Sequence, residues 1–160
     1  MLGTAATCAL GACESGAKFH KYDGTEVTFD VVKEGSRRMH LLNNDTVLRS
    51  YDIHLGFAPI GHMEFEGDGK TPEGLYRIDR RNPYSQLHLS LGISYPNTSD
   101  VAKARAMNKS PGGDIFIHGQ KNRFKSDSED WTWGCISVTN DEIEEIYAMV
   151  ANDTLIVLNP

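Results

Sequence analysis

A thiol and an imidazole are the groups in this chain best placed to do chemistry. His118 closes the short apolar run Ile115-Phe116-Ile117 and is followed by Gly119. Cys135 follows Thr132-Trp133-Gly134 and precedes Ile136-Ser137-Val138. A cysteine becomes a strong nucleophile when a neighbouring imidazole takes its proton. Two adjacent strand ends would bring such groups within reach of each other. Gly134 lets the backbone approach a substrate closely, and the amides of Gly134 and Cys135 could then face a developing oxyanion. The same spacing also fits a small buried cysteine and a satisfied core histidine. Residue type and spacing leave both readings open.

Other reactive groups read more plainly. His62, Glu64, Glu66 and Asp68 gather in a glycine-rich segment, but their spacing lacks the ligand ladder of a calcium loop, so a solvated acidic loop is expected. His88 falls within a strand candidate, from which it could approach the cleft. Zinc on His118 and Cys135 would need a further ligand, and there is no Cys-x-x-Cys. Neither a metal nor a cofactor is expected. The three cysteines, Cys8, Cys13 and Cys135, are an odd set with two near the start, which makes a poor disulfide framework.

The chain has 160 residues, 39% of them hydrophobic, enough for one domain with a respectable core. Sixteen basic residues against 22 acidic ones give a net charge of −6, and no basic run is longer than Arg37-Arg38 or Arg80-Arg81. A nucleic-acid partner needs a basic stripe, so that class drops out. No apolar run approaches the roughly 20 residues that span a bilayer.

The elements that must position the thiol and imidazole can be read from period and punctuation. Val27, Phe29 and Val31 share one strand face, with Thr28 and Asp30 on the other. Arg37 to Leu42 and Val47 to Leu55 flank Asn43-Asn44-Asp45, which predicts a hairpin. Residues 56–74 carry five glycines and read as a long functional loop. Leu75 to Ile78 and Leu87 to Ser94 are strand candidates on either side of a turn at Asn82-Pro83. Ser99 to Met107 has helical composition and ends before Pro111-Gly112-Gly113. Ile115 to Ile117 is a short buried strand. Thr139 with Glu142 is a capping box, and Ile143, Ile146, Tyr147 and Val150 form a core-facing stripe behind it. Thr154 to Leu158 is a last strand. The sum is a mostly β or α+β domain with about two helices.

The first residues are small and uncharged up to Glu14. Leu10-Gly11-Ala12-Cys13 resembles a bacterial lipobox, with Cys13 as the lipid attachment site of a signal that lacks its basic start. The alternative is an alanine-rich leader of no consequence. Residues 1–24 are read as leader and tether, and residues 25–160 as the domain.

Taken together, His118-Gly119 and Thr132-Trp133-Gly134-Cys135 resemble the signature of the bacterial L,D-transpeptidase catalytic domain: a strand ending in His-Gly, a loop, then Ser or Thr, any residue, Gly and Cys. Gly67 to Tyr76, Ile93-Ser94-Tyr95-Pro96 and Gly112-Gly113-Asp114-Ile115 fit the same family, so the resemblance runs from about Val27 to Leu158. It is similar above all to the murein-related branch of Gram-negative bacteria.

That resemblance implies a β-sandwich-like catalytic fold acting in the periplasm on peptidoglycan stem peptides. It implies Cys135 as nucleophile, His118 as base, and the Gly119 carbonyl as the group that orients the imidazole. It also implies a thioester with a stem tetrapeptide, resolved by an amine in a 3→3 cross-link or another attachment. Water as acceptor would make the same site an L,D-carboxypeptidase, or an amidase releasing wall-bound protein. An inactive peptidoglycan-binding module is the rival from another class. Two positions depart from the better-known branches: Trp133 stands where His is common, and Ser137 where Arg or Asn is common. Both are candidates for substrate contact, with Trp133 narrowing the cleft, offering a platform, or bracing the loop with Trp131. Tyr95 is a further candidate contact.

Overall fold

The computed structural model describes residues 18–121 and 129–160. The elements follow in chain order as β1 (Phe29–Lys33), β2 (Arg38–Asn43), β3 (Thr46–Asp52), β4 (Gly74–Asn82), β5 (Ser90–Ile93), α1 (Thr98–Ala106), β6 (Phe116–His118), β7 (Ile136–Ser137), α2 (Asn140–Met149) and β8 (Leu155–Asn159). The β2–β3 hairpin turns at Asn44, which takes the left-handed backbone (φ 49°) that asparagine tolerates. Asn97 caps α1 and Thr139 caps α2, each in a reciprocal box with the acid three residues on, Asp100 and Glu142.

The eight strands form one sheet in the order β3-β2-β1-β8-β4-β5-β6-β7. β1 pairs with β8, and β6 with β7, in parallel; the other neighbours are antiparallel. The sheet curls until its two ends meet. His54, just past β3, exchanges both backbone hydrogen bonds with Ser137 of β7 at 2.9 Å each. Closure of this kind removes edges that would otherwise offer unpaired amides and carbonyls. The interior is filled by side chains such as Met39, Leu41, Leu55, Ile78, Ile117 and Ile136, all without exposure. Ile143 and Ile146 of α2 join that core as the helical stripe predicts, and α2 lies against β5 and β6. Each such side chain contributes about 1.5–3 kcal/mol by burial. The mostly β, two-helix architecture is therefore present, as a curled sheet.

Two local expectations change. The face of β1 that carries Asp30 and Val32 is fully buried, whereas Phe29 and Val31 are half-buried, because the curled sheet wraps its interior around the opposite side from the more apolar one. His88 is not in a strand: its φ of 75° breaks the pleat, β5 starts only at Ser90, and its Nε2 meets Glu144 Oε1 at 2.6 Å. Residues 18–20, the first described, make contacts with the domain. Lys18 donates to the Pro83 carbonyl, Phe19 tilts against Tyr147, and His20 Nε2 meets Glu144 at 2.9 Å.

Asp30 is buried with no hydrogen-bond partner among the described residues, and burial pushes its carboxyl from 3.8 up to about 8. Glu34, also buried, is shifted in the same direction. A carboxyl that is protonated in the folded chain and ionised in the unfolded one takes up a proton on folding. Stability then falls as pH rises from about 4 to about 8, by at most ~1.4 kcal/mol per unit for one group. Asp30→Asn removes its share of that slope. Denaturant unfolding at pH 5 and pH 8 should show the wild type losing more stability between them than the variant. Equal losses would mean that Asp30 is already ionised in the fold.

Candidate active site

β6 and β7 run side by side in parallel, with Ile117 opposite Ile136 and His118 opposite Ser137. Cys135, one residue before β7, therefore falls opposite Phe116. Alternation along a strand puts Phe116 and His118 on one face, and pairing puts Cys135 on that face too. Ile117 and Ile136 face the other way, into the core. Two residues of rise and one strand spacing set the Cα atoms of Cys135 and His118 roughly 8 Å apart. Both side chains line one recess of about 400 Å³, walled by Asn82, Leu87, Ser90, Asp114, Phe116 and Lys121 among others. Among the described residues no hydrogen bond joins Sγ directly to the imidazole. Catalytic contacts often tighten only when substrate is bound.

Each half of the pair is held by its own strand end. His118 Nδ1 lies 2.6 Å from the Gly119 carbonyl oxygen. A carbonyl can only accept, so Nδ1 carries the hydrogen and Nε2 keeps its lone pair. Gly119 must be glycine for a packing reason. A Cβ there would sit 2.6 Å from Asn140 Oδ1 and 2.9 Å from Ile143 Cγ2, where the start of α2 presses on the strand. The same Asn140 oxygen accepts the Gln120 N–H at 2.7 Å. Cys135 Sγ accepts the Phe116 N–H at 3.4 Å and lies 3.6 Å from the Asp114 carbonyl.

The turn before the thiol is closed by Thr132, whose Oγ1 donates to the Cys135 carbonyl at 2.7 Å and accepts the Gly134 N–H at 3.2 Å. Of the two amides expected to face an oxyanion, that of Gly134 is thus already engaged. The Cys135 amide has no acceptor within the loop among the described residues. Gly134 itself has φ 123°, and a Cβ would meet the Lys70 carbonyl at 2.7 Å, so the long glycine-rich loop sits directly on it.

Burial pushes the Cys135 thiol up, as does the charge of Asp114, against the opposing pull of the Phe116 amide. Burial pushes His118 down, partly offset by its bond to Gly119. The resting pair is accordingly thiol and neutral imidazole, and the imidazole is free to accept a proton at neutral pH.

The remaining candidates are dispersed. Trp133 is 70% exposed and meets Phe57 edge-on at 4.9 Å, instead of bracing Trp131. Ser137 is fully buried beside His118, with its hydroxyl unpartnered among the described residues. Tyr95 is a core residue whose hydroxyl donates to the Pro111 carbonyl, and it borders a different, polar recess with Glu66, Arg80 and Asp114. In the glycine-rich loop Asp68 turns inward to accept the amides of Glu64 and Lys70 at 2.8 and 3.0 Å, and His62 Nδ1 accepts that of Glu73. Cys13 lies outside the described residues.

Sequence reasoning missed what surrounds His118. Trp131 packs edge-to-face on His118, with ring centroids 5.7 Å apart. Its neighbour Asp130 is paired with Arg37, from Nη2 at 2.7 Å and from Nε at 3.1 Å. The partners are 93 residues apart, so no local spacing could announce them.

The chain matches the YkuD family, the L,D-transpeptidase catalytic domain, over residues 26–158. It is 30% identical over 106 residues to the Escherichia coli (strain K12) protein named "Putative L,D-transpeptidase YafK", an alignment covering 65% of this chain and 37% of that protein. Among solved structures it is similar to the helical cell shape determining protein Pgp2 of Campylobacter jejuni, with TM-score 0.63 and 24% identity over 83% of this chain and 47% of that one. An L,D-transpeptidase from Mycobacterium smegmatis superposes with TM-score 0.57 and 16% identity, covering 86% of this chain and 60% of that one. These two likenesses establish the fold. The chain spans little more than a third of YafK and about half of Pgp2.

Two outcomes follow from this geometry. Gly134→Ala should cost about 1–3 kcal/mol in denaturant unfolding through strain and the Lys70 contact, and should displace the thiol; an unchanged midpoint would contradict the close approach. Alkylation of Cys135, followed as the modified peptide by mass, should show a plateau near neutral pH that depends on His118, then rise again at a pH above that of an ordinary cysteine. His118→Ala should keep only the alkaline rise. A rise at or below the ordinary thiol range would show that burial does not govern the sulfur.

Proposed function

Because the chain belongs to the L,D-transpeptidase catalytic domain family, we propose that it is a cysteine-dependent acyltransferase acting on peptidoglycan stem tetrapeptides. The observation that carries this reading is the shared face: Cys135 and His118 line one recess from adjacent parallel strands, with His118 Nδ1 tied to the Gly119 carbonyl so that Nε2 is the basic nitrogen.

In the reaction, Nε2 takes the Cys135 proton as the sulfur attacks the carbonyl at the L-centre of diaminopimelate. The Cys135 N–H, left without an acceptor in the loop among the described residues, would bind the developing oxyanion. Collapse of the tetrahedral adduct breaks the amide bond to terminal D-alanine, whose nitrogen leaves with the proton from His118. The product is a thioester on Cys135. An amine acceptor then loses its proton to His118, attacks the thioester and returns the thiol. With water as acceptor the same steps give a tripeptide. Lys121, on the wall of the recess, supplies a positive charge for a substrate carboxylate. The family assignment and the likeness to YafK and Pgp2 support action on the periplasmic side of the bacterial envelope. The Cys13 motif supports a lipid anchor there.

The test is intact mass of the protein after mixing with a disaccharide-tetrapeptide, with Cys135→Ala in parallel. A gain equal to the donor minus D-alanine, absent from the variant, is expected. Cross-linked dimers among the products would mark transfer, and tripeptide alone hydrolysis. No adduct and no product would overturn the reading and leave a peptidoglycan-binding module.

A further inference from the structure

The Gly119 carbonyl fixes one atom of the His118 ring, Nδ1. A single hydrogen bond leaves the ring free to rock about that point and swing Nε2 toward or away from the sulfur. What packs against the ring is Trp131, in an edge-to-face arrangement at 5.7 Å between centroids and 69° between planes. Aromatic edge-to-face contacts of this kind are worth about 0.5–1.5 kcal/mol and have a preferred direction.

Trp131 is itself held from both sides. On one side the Asp130 carboxylate receives the Arg37 fork and also accepts the Leu55 N–H at 2.8 Å. On the other, Thr132 N donates to the Leu55 carbonyl at 3.1 Å, and the Thr132 carbonyl accepts the Phe57 N–H at 3.0 Å. Arg37 is in turn pinned in the β1–β2 turn, in left-handed backbone at φ 53°, with its carbonyl accepting the Ile53 N–H. Its Nη1 donates to the Glu34 carbonyl. The Glu34 carboxyl is lifted to about 8 by burial, so at neutral pH the guanidinium's carboxylate is that of Asp130.

We propose that Trp131, clamped by the Arg37–Asp130 ion pair, is a positioning residue that holds the His118 imidazole in the orientation needed for proton exchange with Cys135. This rests on the reading of His118 as the base. The titratable and charged groups around the same recess are Asp114, Lys121 and Cys135. From α2 it is the uncharged Asn140 that approaches Gly119.

The experiment is the pH profile of Cys135 alkylation by iodoacetamide on the full chain, from pH 5 to about pH 11 so that the alkaline rise is included, read on the Cys135 peptide. His118→Ala, Trp131→Leu, Trp131→Phe and Arg37→Lys are compared with the wild type, and each variant's thermal midpoint is recorded. Trp131→Leu should lower the neutral plateau roughly tenfold, toward that of His118→Ala, since small displacements of a catalytic group carry penalties of this order. The alkaline rise should stay in place. Trp131→Phe should restore most of the plateau, and Arg37→Lys should fall between. If His118→Ala leaves the profile unchanged, the base assignment fails, and this proposal with it. If His118→Ala removes the plateau while Trp131→Leu, folded by its thermal midpoint, keeps it, the positioning role alone is overturned. Should Trp131→Leu fail to fold, Trp131→Phe and Arg37→Lys decide: a wild-type plateau in Arg37→Lys together with a lost plateau in Trp131→Phe would overturn the clamp.

Discussion

The meeting of the sheet's two ends governs everything else in this molecule. Where His54 exchanges hydrogen bonds with Ser137, the continuation of β3 is laid beside β7, and segments far apart in sequence come together at the start of the strand that follows Cys135. Gly56 then bridges to Thr132, and Phe57 donates to the same residue. The glycine-rich loop that follows folds back so that the Lys70 carbonyl rests on Gly134. β7 has only two residues, too few to hold a position on their own hydrogen bonds. Its register is set by β6 on one side and His54 on the other, and the thiol inherits that register. The loop that carries Thr132 and Trp131 is anchored by the same closure, through Leu55.

Much of this was legible because it is local. Hairpin, capping boxes and helical stripe are each decided within a few residues, by asparagine's tolerance of left-handed backbone, by side-chain caps and by the 3.6-residue period. The Cys135 and His118 motifs carried the family likeness, since the glycines beside them answer to close approaches that only a missing Cβ allows. What was not legible depends on distant partners. Asp30 looked like the polar side of an amphipathic strand and is buried, because the face of a strand that turns inward is set by the curl of the whole sheet. His88 looked like a strand residue, but a positive φ and a bond to Glu144 remove it from the ladder. Arg37 and Asp130 carry no mark of each other in sequence. Trp131 was weighed only as a brace for Trp133, while the structure gives Trp133 to Phe57 and Trp131 to the imidazole.

The electrostatics of the pair bear on how such a site can work. A thiolate–imidazolium pair formed in advance would place two charges in a mostly buried recess, where desolvation costs several kcal/mol per ion unless other groups compensate. Here the compensation is thin: one amide on the sulfur at 3.4 Å and one carbonyl on the imidazole at 2.6 Å. Burial moves the thiol up and the imidazole down, and both shifts favour the uncharged pair. In the proposed reaction the proton would then move as the sulfur attacks, when a developing oxyanion and a substrate carboxylate near Lys121 would change the charge in the recess. In that regime the rate depends less on a preset thiolate fraction than on the line from Sγ to Nε2. A site of this kind gains more from groups that hold the ring still, through contacts reaching back to Gly119 and the sheet closure, than from any further charge placed beside the sulfur.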